Sequence, residues 1–340
     1  MIRDFGDADA AQWDAYVRAH PHGSPFHLIA WKKTVEEGFG YPGRFLLAER
    51  DGAIRGILPL FLVKNLLMGK VLLSSPFAVY GGVLAADDET RAAFRDHLSG
   101  LGRSLGVQYV ELRNAFPEQC LGFSKVERYV TFTQEIGSDE EAILEHIPRK
   151  TRAAVRKSLK FELAARSTRE RRTFERLYGE NLRRLGTPCF PSRHFAAILR
   201  HFGAEVDIRE TLRGDQVIAA VLSFYFRDQV LPYYGASDAS ALAYQPNNFM
   251  YFDLMRRAGA NGFRLFDFGR SKIDSGSFDF KAHWGMRTRT LPYEMLLVKR
   301  KDPPHFSPNN PKFQLAIRIW QRVPLGITRL IGPWLNRLVP

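Results

Sequence analysis

Apolar residues along this chain fall into two kinds of segment: short runs cut off by Gly, Asp or Pro, and longer stretches in which apolar positions recur at helical spacing. Phe45–Arg50 is followed by Asp51-Gly52 and then by the apolar run Ile54–Val63. Asp-Gly between two such runs predicts a hairpin, because both central turn residues must tolerate positive φ. The same order returns as Val206–Arg213, Gly214-Asp215 and Val217–Arg227. A further strand then ends at Tyr80-Gly81-Gly82 in the first case and at Tyr234-Gly235-Ala236 in the second. Helical spacing follows over 89–105 and 249–260, and a strand follows Gly106 and Gly262, carrying Glu111 and Asp267 at matching places. The unit recurs roughly 160 residues along the chain, which reads as an internal repeat. Two helices precede each hairpin, over 10–18 and 31–38 and again over 170–185 and 193–202.

A helix between two strands implies a parallel crossover, and hairpins feeding that crossover make a mixed sheet. The expected fold is therefore α/β of mixed (α+β) character, built from two tandem halves. Ser138-Asp139-Glu140-Glu141 reads as a capping box at the junction, Pro148 ends that helix, and a second helix runs over 149–160. The expected divisions are 1–137, 138–301 and a C-terminal tail, 302–340. At 340 residues the chain has room for two ordinary domains.

Composition narrows the classes. Cys120 and Cys189 stand far apart with no paired His at ligand spacing, so neither a disulfide framework nor a metal site is expected. His20, His22 and His27 lie in a Pro/Gly loop without carboxylates at ligand spacing. Ser74, Ser75 and Ser271 lack a Gly-x-Ser-x-Gly elbow, which argues against a serine hydrolase. The apolar region from Ile57 to Leu84 is broken by Pro59, Lys64, Gly69, Lys70 and Pro76 and reads as strands. The first residues are acidic and polar, unlike a signal peptide, so a reduced, cytoplasmic protein is expected. A net charge of +13 favours an anionic partner: nucleic acid, a phosphorylated cofactor or anionic lipid.

Several longer motifs stand out. They are Trp31-x-x-x-Val35-Glu36-Glu37-Gly38-Phe39-Gly40-Tyr41, Leu58-Pro59-Leu60-Phe61 and Pro76-Phe77-x-x-Tyr80-Gly81-Gly82 in the first half. In the second half they are Asp267-Phe268-Gly269-Arg270-Ser271-Lys272 and Gly276-Ser277-Phe278-x-Phe280-Lys281-x-x-Trp284-Gly285. Over nearly its whole length the chain resembles the FemAB family of tandem GNAT-like, or BioF2-like, acyltransferases. The resemblance is nearest to the FemAB-like proteins of PEP-CTERM and exopolysaccharide systems. It implies two GNAT-like halves and transfer of an aminoacyl or acyl group to an amine of a cell-envelope or exopolysaccharide precursor. No permanently bound cofactor is implied, and aminoacyl-tRNA or an acyl-CoA-type thioester would serve as co-substrate. An Arg/Gln-x-x-Gly-x-Gly phosphate loop occurs in neither half, and no long heptad stretch interrupts the second.

The segment from Asp267 to Gly285 offers the most chemistry. Ligands of open α/β sheets gather beyond the carboxyl ends of strands. Acyl transfer to an amine passes through an oxyanion, and a fixed ammonium stabilises that charge. The resemblance gives this role to Lys281, read here as an exposed or cleft lysine. Asp267 is either a general base or a partner that orients Arg270 or Lys281. Arg270 and Ser271 belong with the donor or substrate. Asn247 and Asn248 stand at the start of a helix, where free N–H groups suit phosphate, and a plain helix cap is the competing reading. Tyr233, Tyr234 and Gln245 would line the same region. Arg149, Arg152 and Arg156, with Lys150, Lys157 and Lys160, form a basic helical face that suits tRNA or nucleotide phosphates; a solvated face is the alternative.

In the tail, Phe313, Ala316, Ile317, Trp320 and Val323 share one face. Beyond Pro324, Ile327, Leu330, Ile331, Trp334, Leu335 and Leu338 recur at helical spacing among Arg residues. Such a tail either meets the inner membrane peripherally or packs on its own domain. Two other classes stay open for the whole chain: a non-catalytic binding or assembly protein, and a tRNA-binding module.

Overall fold

The structure is a computed structural model and describes residues 1–137, 139–273, 275–304 and 311–338, with the backbone alone for 311–313. Its elements begin β1 (Ile2–Asp4), α1 (Ala10–Ala19), α2 (Ile29–Phe39), β2 (Leu46–Arg50), β3 (Ala53–Leu58), β4 (Phe61–Asn65), β5 (Gly69–Leu73), β6 (Leu84–Ala85), α3 (Asp88–Leu105), β7 (Tyr109–Leu112) and β8 (Ser124–Val126). Asp51 and Gly52 both take positive φ, 54° and 74°, so the predicted hairpin closes β2 on β3. Pro59 splits the expected strand Ile54–Val63 into β3 and β4, because it has no N–H to continue a ladder. As a result β1-β2-β3-β6 and β4-β5-β7-β16-β8 form separate sheets. β16 (Tyr293–Leu297) comes from far down the chain.

The remaining elements are β9 (Tyr129–Glu135), α4 (Glu140–His146), α5 (Arg149–Ser158), β10 (Leu163–Thr168), α6 (Arg172–Arg184), α7 (Ser192–Phe202), β11 (Val206–Arg213), β12 (Gln216–Phe226), β13 (Gln229–Ser237), α8 (Pro246–Ala260), β14 (Leu265–Lys272), α9 (Gly276–Ala282) and β15 (Arg287–Thr290). After β16 come α10 (Pro311–Arg322) and α11 (Leu325–Asn336). One sheet of order β10-β11-β12-β13-β14-β9-β15 runs through this part. Gly214, at φ 55°, leads the turn from β11 to β12, in a two-residue loop flanked by Arg213↔Gln216. Ala219 and Val221 of β12 join Met250, Phe252 and Trp284 in a core on one face of the sheet. Phe224 packs edge-on against Phe202 of α7 at 4.9 Å between ring centres.

The chain divides into two units, and the division is not the linear one expected at Gly137. The first unit holds Met1–Arg128, takes back the stretch around β16, and ends with 334–338; the second holds Tyr129–Arg289 and the C-terminal helices as far as Pro333. β9, which falls within the expected first division 1–137, pairs with β14 of the second unit through Leu265↔Glu135 to Lys272↔Tyr129. β16, expected in the second half, pairs with β7 and β8 of the first. The exchange joins strands distant in sequence, so local pattern does not reveal it. Of the expected capping box, Ser138 lies outside the described residues; Asp139 is the cap, accepting from the backbone N–H of Ala142 at 2.9 Å. Pro308 also lies outside them.

In the first unit β5 and β7 are parallel through Leu72↔Val110 and Leu73↔Glu111. Beyond that point the strands stay joined: the Ser74 amide donates to the Glu111 carbonyl at 2.9 Å and the Arg113 amide to Ser74 Oγ at 2.7 Å. Arg113 is buried and reaches the carbonyls of Ser75 and Ala78 in the following loop. This wedge is therefore filled by its own chain, including Tyr80-Gly81-Gly82. Glu294 of β16, 1% exposed, accepts from the amides of Leu121, Gly122 and Phe123 at 2.7–2.8 Å and from Asn114 Nδ2 at 3.0 Å.

The C-terminal helices dock on the second unit through the face the sequence marks. Trp320 is buried and its Nε1 donates to the Thr187 carbonyl at 3.2 Å, Gln321 donates to Arg184 O at 2.9 Å, and Ile317 sits over Gly186. Ala316 is exposed, and the Phe313 side chain lies outside the described residues. No described helix is long and apolar enough to cross a membrane.

Removing the Glu294 carboxylate takes the acceptor from three backbone amides in a buried site and one of two oxygen acceptors from Asn114 Nδ2. Glu294→Ala should lower stability by about 3 kcal/mol in chemical denaturation, against little change for an exposed carboxylate such as Glu89.

Candidate active site

β13 and β14 of the second unit are parallel through Gln229↔Leu265 and Val230↔Phe266. Past these pairs the strands part, and a cavity of about 400 Å³ occupies the gap. β13 contributes Pro232, Tyr233, Gly235, Ala236 and Ser237, β14 Phe268, and α8 Asn247 and Tyr251. α6 adds Tyr178, Asn181, Leu182 and Arg184, and α9 adds Gly276, Ser277, Phe280 and Lys281. The volume suits a small ligand or one arm of a larger one. Among the described residues no carboxylate lines this cavity, whose charged groups are Arg184 and Lys281.

Lys281 is held by a distortion in β14. The register with β9 shifts between Asp267 and Gly269, and Gly269 takes φ 65°, which a residue with a Cβ adopts at a cost. The bulge turns successive carbonyls toward α9. Lys281 Nζ donates to Phe268 O at 2.7 Å, Arg270 O at 3.0 Å and Gly269 O at 3.1 Å, so all three ammonium hydrogens have acceptors. Burial lowers its pKa to about 8; Asp267 opposes the shift and Arg270 adds to it. The lysine expected in an open cleft is therefore half-buried and part of the framework.

Asp267 is 4% exposed and lines no part of the cavity. Its Oδ1 accepts from the Gly269 amide at 2.7 Å and from Thr131 Oγ1 at 3.2 Å. The carboxylate thus clamps the bulge from beneath, a positioning place rather than that of a base. Arg270 lays its guanidinium 4.4 Å from the centre of the Tyr129 ring, and Ser271 is buried in the strand; neither lines the cavity.

Of Tyr233 and Tyr234, both expected to line this region, Tyr233 does and Tyr234 does not. Tyr234 is buried among Tyr178, Phe190 and Phe195, with its hydroxyl 3.0 Å from His194 Nε2, and Tyr233 faces the cavity. A register shift between Leu222 and Ser223 of β12 lies opposite this point of β13. The helix expected from Phe249 starts at Pro246, so Asn247 and Asn248 lie inside its first turn and neither is the cap. Asn247 reaches the cavity, whereas Asn248 donates to Gln245 Oε1 at 2.9 Å, and Gln245 itself stands outside it. Arg149, Arg152 and Arg156 line a different groove, of about 510 Å³, with Lys157 and Lys160.

Tyr251, Tyr178 and Asn181 are cavity residues that the sequence reading missed. Asn247 and Tyr251 stand four apart on α8, so helical spacing from Asn247 was the available signal. Burial raises the Tyr251 pKa to about 12, which keeps its hydroxyl protonated at neutral pH. Its ring packs edge-on against Phe268 and Trp284, and a Cβ at Gly235 would lie 2.6 Å from its hydroxyl. The glycine of Tyr234-Gly235 therefore makes room on β13 for the Tyr251 side chain of α8.

Comparison with known proteins agrees with this geometry. Residues 144–282, which lie in the second unit, are similar to the acetyltransferase (GNAT) domain family. No curated protein matches the chain by sequence. The crystal structure of FemX aligns with 93% of this chain and 100% of its own, at a TM-score of 0.69 and 16% identity. L-PGS from Bacillus licheniformis aligns over 95% and 97%, with TM-score 0.57 and 12% identity. A tandem GNAT protein from the clavulanic acid biosynthesis pathway aligns over 89% and 99%, with TM-score 0.53 and 10% identity. At these identities the likeness is one of fold, and it is the mixed α+β, tandem GNAT-like fold expected from the repeat.

Two outcomes follow from the framework role of Lys281 and the contact at Gly235. Lys281→Met should cost about 2 kcal/mol in denaturant unfolding, because three inward carbonyls lose their donor. Lys281 should titrate near 8 in competitive chemical labelling, staying charged below that value and neutral above it. Gly235→Ala should displace Tyr251 and destabilise by about 1–3 kcal/mol, with the tyrosine's ultraviolet ionisation moving down from about 12.

Proposed function

We propose that the second unit is an N-acyltransferase that works in the open wedge between β13 and β14. The observation that carries this reading is the cavity at the point where the strands part, with the Lys281 ammonium and the Tyr251 hydroxyl in its wall. Past Val230 and Phe266 the facing edges of the strands have left their ladder, and an extended, amide-bearing donor arm can add there as a further strand would. The acyl carbonyl then lies near the Tyr251 hydroxyl, which can donate to it, and near the positive charge of the Lys281 ammonium, whose hydrogens are already engaged. Attack by an amine puts negative charge on that carbonyl oxygen, and fixed donors stabilise the charge as it develops. The role of Lys281 is electrostatic, exerted by an ammonium already fixed on three carbonyls. As the tetrahedral intermediate collapses, Tyr251 is placed to protonate the leaving group. With no carboxylate among the described lining residues, the amine loses its proton to solvent or to substrate.

The acceptor is an amine of a cell-envelope or exopolysaccharide precursor, and the donor an acyl thioester or an aminoacyl-tRNA. The basic groove on α5 favours a polyanionic donor such as tRNA, since Arg149–Lys160 contains no acidic residue and its groove is lined by cations and Ala153. Similarity to FemAB-like proteins of PEP-CTERM systems favours an exopolysaccharide setting.

The test is acyl transfer followed by mass spectrometry, with a panel of thioesters and charged tRNAs against amine acceptors. With a working pair, Lys281→Ala should lower kcat by about 100- to 1000-fold while KM changes little. Turnover should fall as pH rises through about 8, where the ammonium is lost. Turnover near normal in Lys281→Ala would remove the oxyanion role and favour a binding or assembly protein. Arg152→Glu with Arg156→Glu should weaken tRNA binding and flatten its salt dependence, with thioester turnover unchanged.

A further inference from the structure

Helix α11 is packed the opposite way round from an ordinary amphipathic helix. The side it buries is small or polar: Thr328 is 2% exposed, Asn336 is 8% exposed, and Gly332 lies against Cys189 with no room for a Cβ. The side it presents outward is large and apolar: Ile327, Leu330, Ile331 and Trp334, at spacing i, i+3, i+4 and i+7, with Leu330 80% and Trp334 59% exposed. On α10, Leu315 and Ile319 are likewise exposed, interleaved with Arg318 and Arg322 on one face. Scattered exposed apolar residues are ordinary, but an apolar stripe facing outward along a helix marks a surface that is covered in use.

Charge indicates what covers it. Residues 311–338 contain Lys312, Arg318, Arg322, Arg329 and Arg337 and no acidic residue. An apolar stripe with a Trp, flanked by arginines with no carboxylate to offset them, has the composition of a helix that lies in the interface of an anionic bilayer. We infer that α10 and α11 form a docking face for an anionic membrane surface, with the side chains of Leu330 and Trp334 entering the headgroup layer. The inference does not depend on the acyltransfer reading. It has a consequence for it, however: Gln321 of α10 lines a groove, with Glu180 and Asp238 among its walls, that shares Asn181, Arg184 and Ser237 with the cavity. A membrane-seated α10 thus borders the approach to that cavity.

The test uses the full chain with vesicles of phosphatidylcholine alone and of phosphatidylcholine mixed equally with phosphatidylglycerol. Of the five tryptophans, Trp13, Trp31, Trp284 and Trp320 are buried, so a change in intrinsic fluorescence on vesicle binding reports chiefly on Trp334. The mixed vesicles should shift emission to the blue and pellet the protein, and phosphatidylcholine alone should do neither. Leu330→Glu should lower partitioning about tenfold or more, with an unchanged melting temperature because Leu330 packs on little. Trp334→Phe should still pellet but lose the blue shift. Absence of binding to the mixed vesicles overturns the inference, as does binding that Leu330→Glu leaves intact. A concentration-dependent dimer dispersed by Leu330→Glu, without vesicle binding, would make the face a contact between copies of this chain and likewise overturn it.

Discussion

The second unit is organised around one buried ammonium. Lys281 bonds to three successive carbonyls of β14, and that arrangement exists only because β14 is bulged there. Asp267 fixes the bulge from below through the Gly269 amide, Gly269 supplies the positive φ, and the aromatic wall of Phe268, Phe280 and Trp284 excludes water around the charge. The bulge in turn allows β14 to leave β13, and the cavity lies in that gap. A straight β14 would extend the ladder past Phe266 and close the wedge. The residues that make the site are for this reason hard to separate from those that make the fold: the ammonium that faces the cavity is also the clasp that keeps it open.

The two units show what such a wedge becomes with and without that clasp. In the first, the parallel strands β5 and β7 run into a loop laced by Ser74 and Arg113, and the chain itself fills the space. In the second, the corresponding space is an open cavity. Parallel strands that part thus leave a filled wedge in one half and an open one in the other. Similarity of fold across the repeat says little about which half does chemistry; the side chains at the wedge decide it.

Much of this was legible in the sequence because it is local. Asp51-Gly52 gave its hairpin, and the helices fell within a few residues of their predicted spans, since turn chemistry and helical spacing act over neighbouring residues. The exchanged strands β9 and β16 were not legible, because each follows the helices and turns of one half and pairs in the sheet of the other. At the candidate site, Lys281 and Asn247 both line the cavity. Tyr233 and Tyr234 were both expected there, but neighbouring strand residues point to opposite faces, and of the two it is Tyr233 that lines the cavity. Asp267 was read either as a base or as a partner orienting Arg270 or Lys281; its bond to the amide of Gly269, two residues on, depends on the bulge and is not visible in the sequence. Arg149, Arg152 and Arg156 make one helical face as expected, but on a surface separate from the cavity.

The return of β16 to the first unit bears on how the chain can be made. β8 finds its sheet partner in β16, from Tyr293↔Val126 to Met295↔Ser124. A ribosome must therefore release the whole of the intervening segment before the amino-terminal sheet can be completed, and Glu294 arrives with that strand to collect the amides of Leu121, Gly122 and Phe123. During synthesis the amino-terminal unit waits, with part of its sheet edge uncovered, while the seven strands of the other sheet all emerge earlier. The half that comes first in the gene is the half that finishes last, and a fragment cut between the two expected halves would deprive each of a strand.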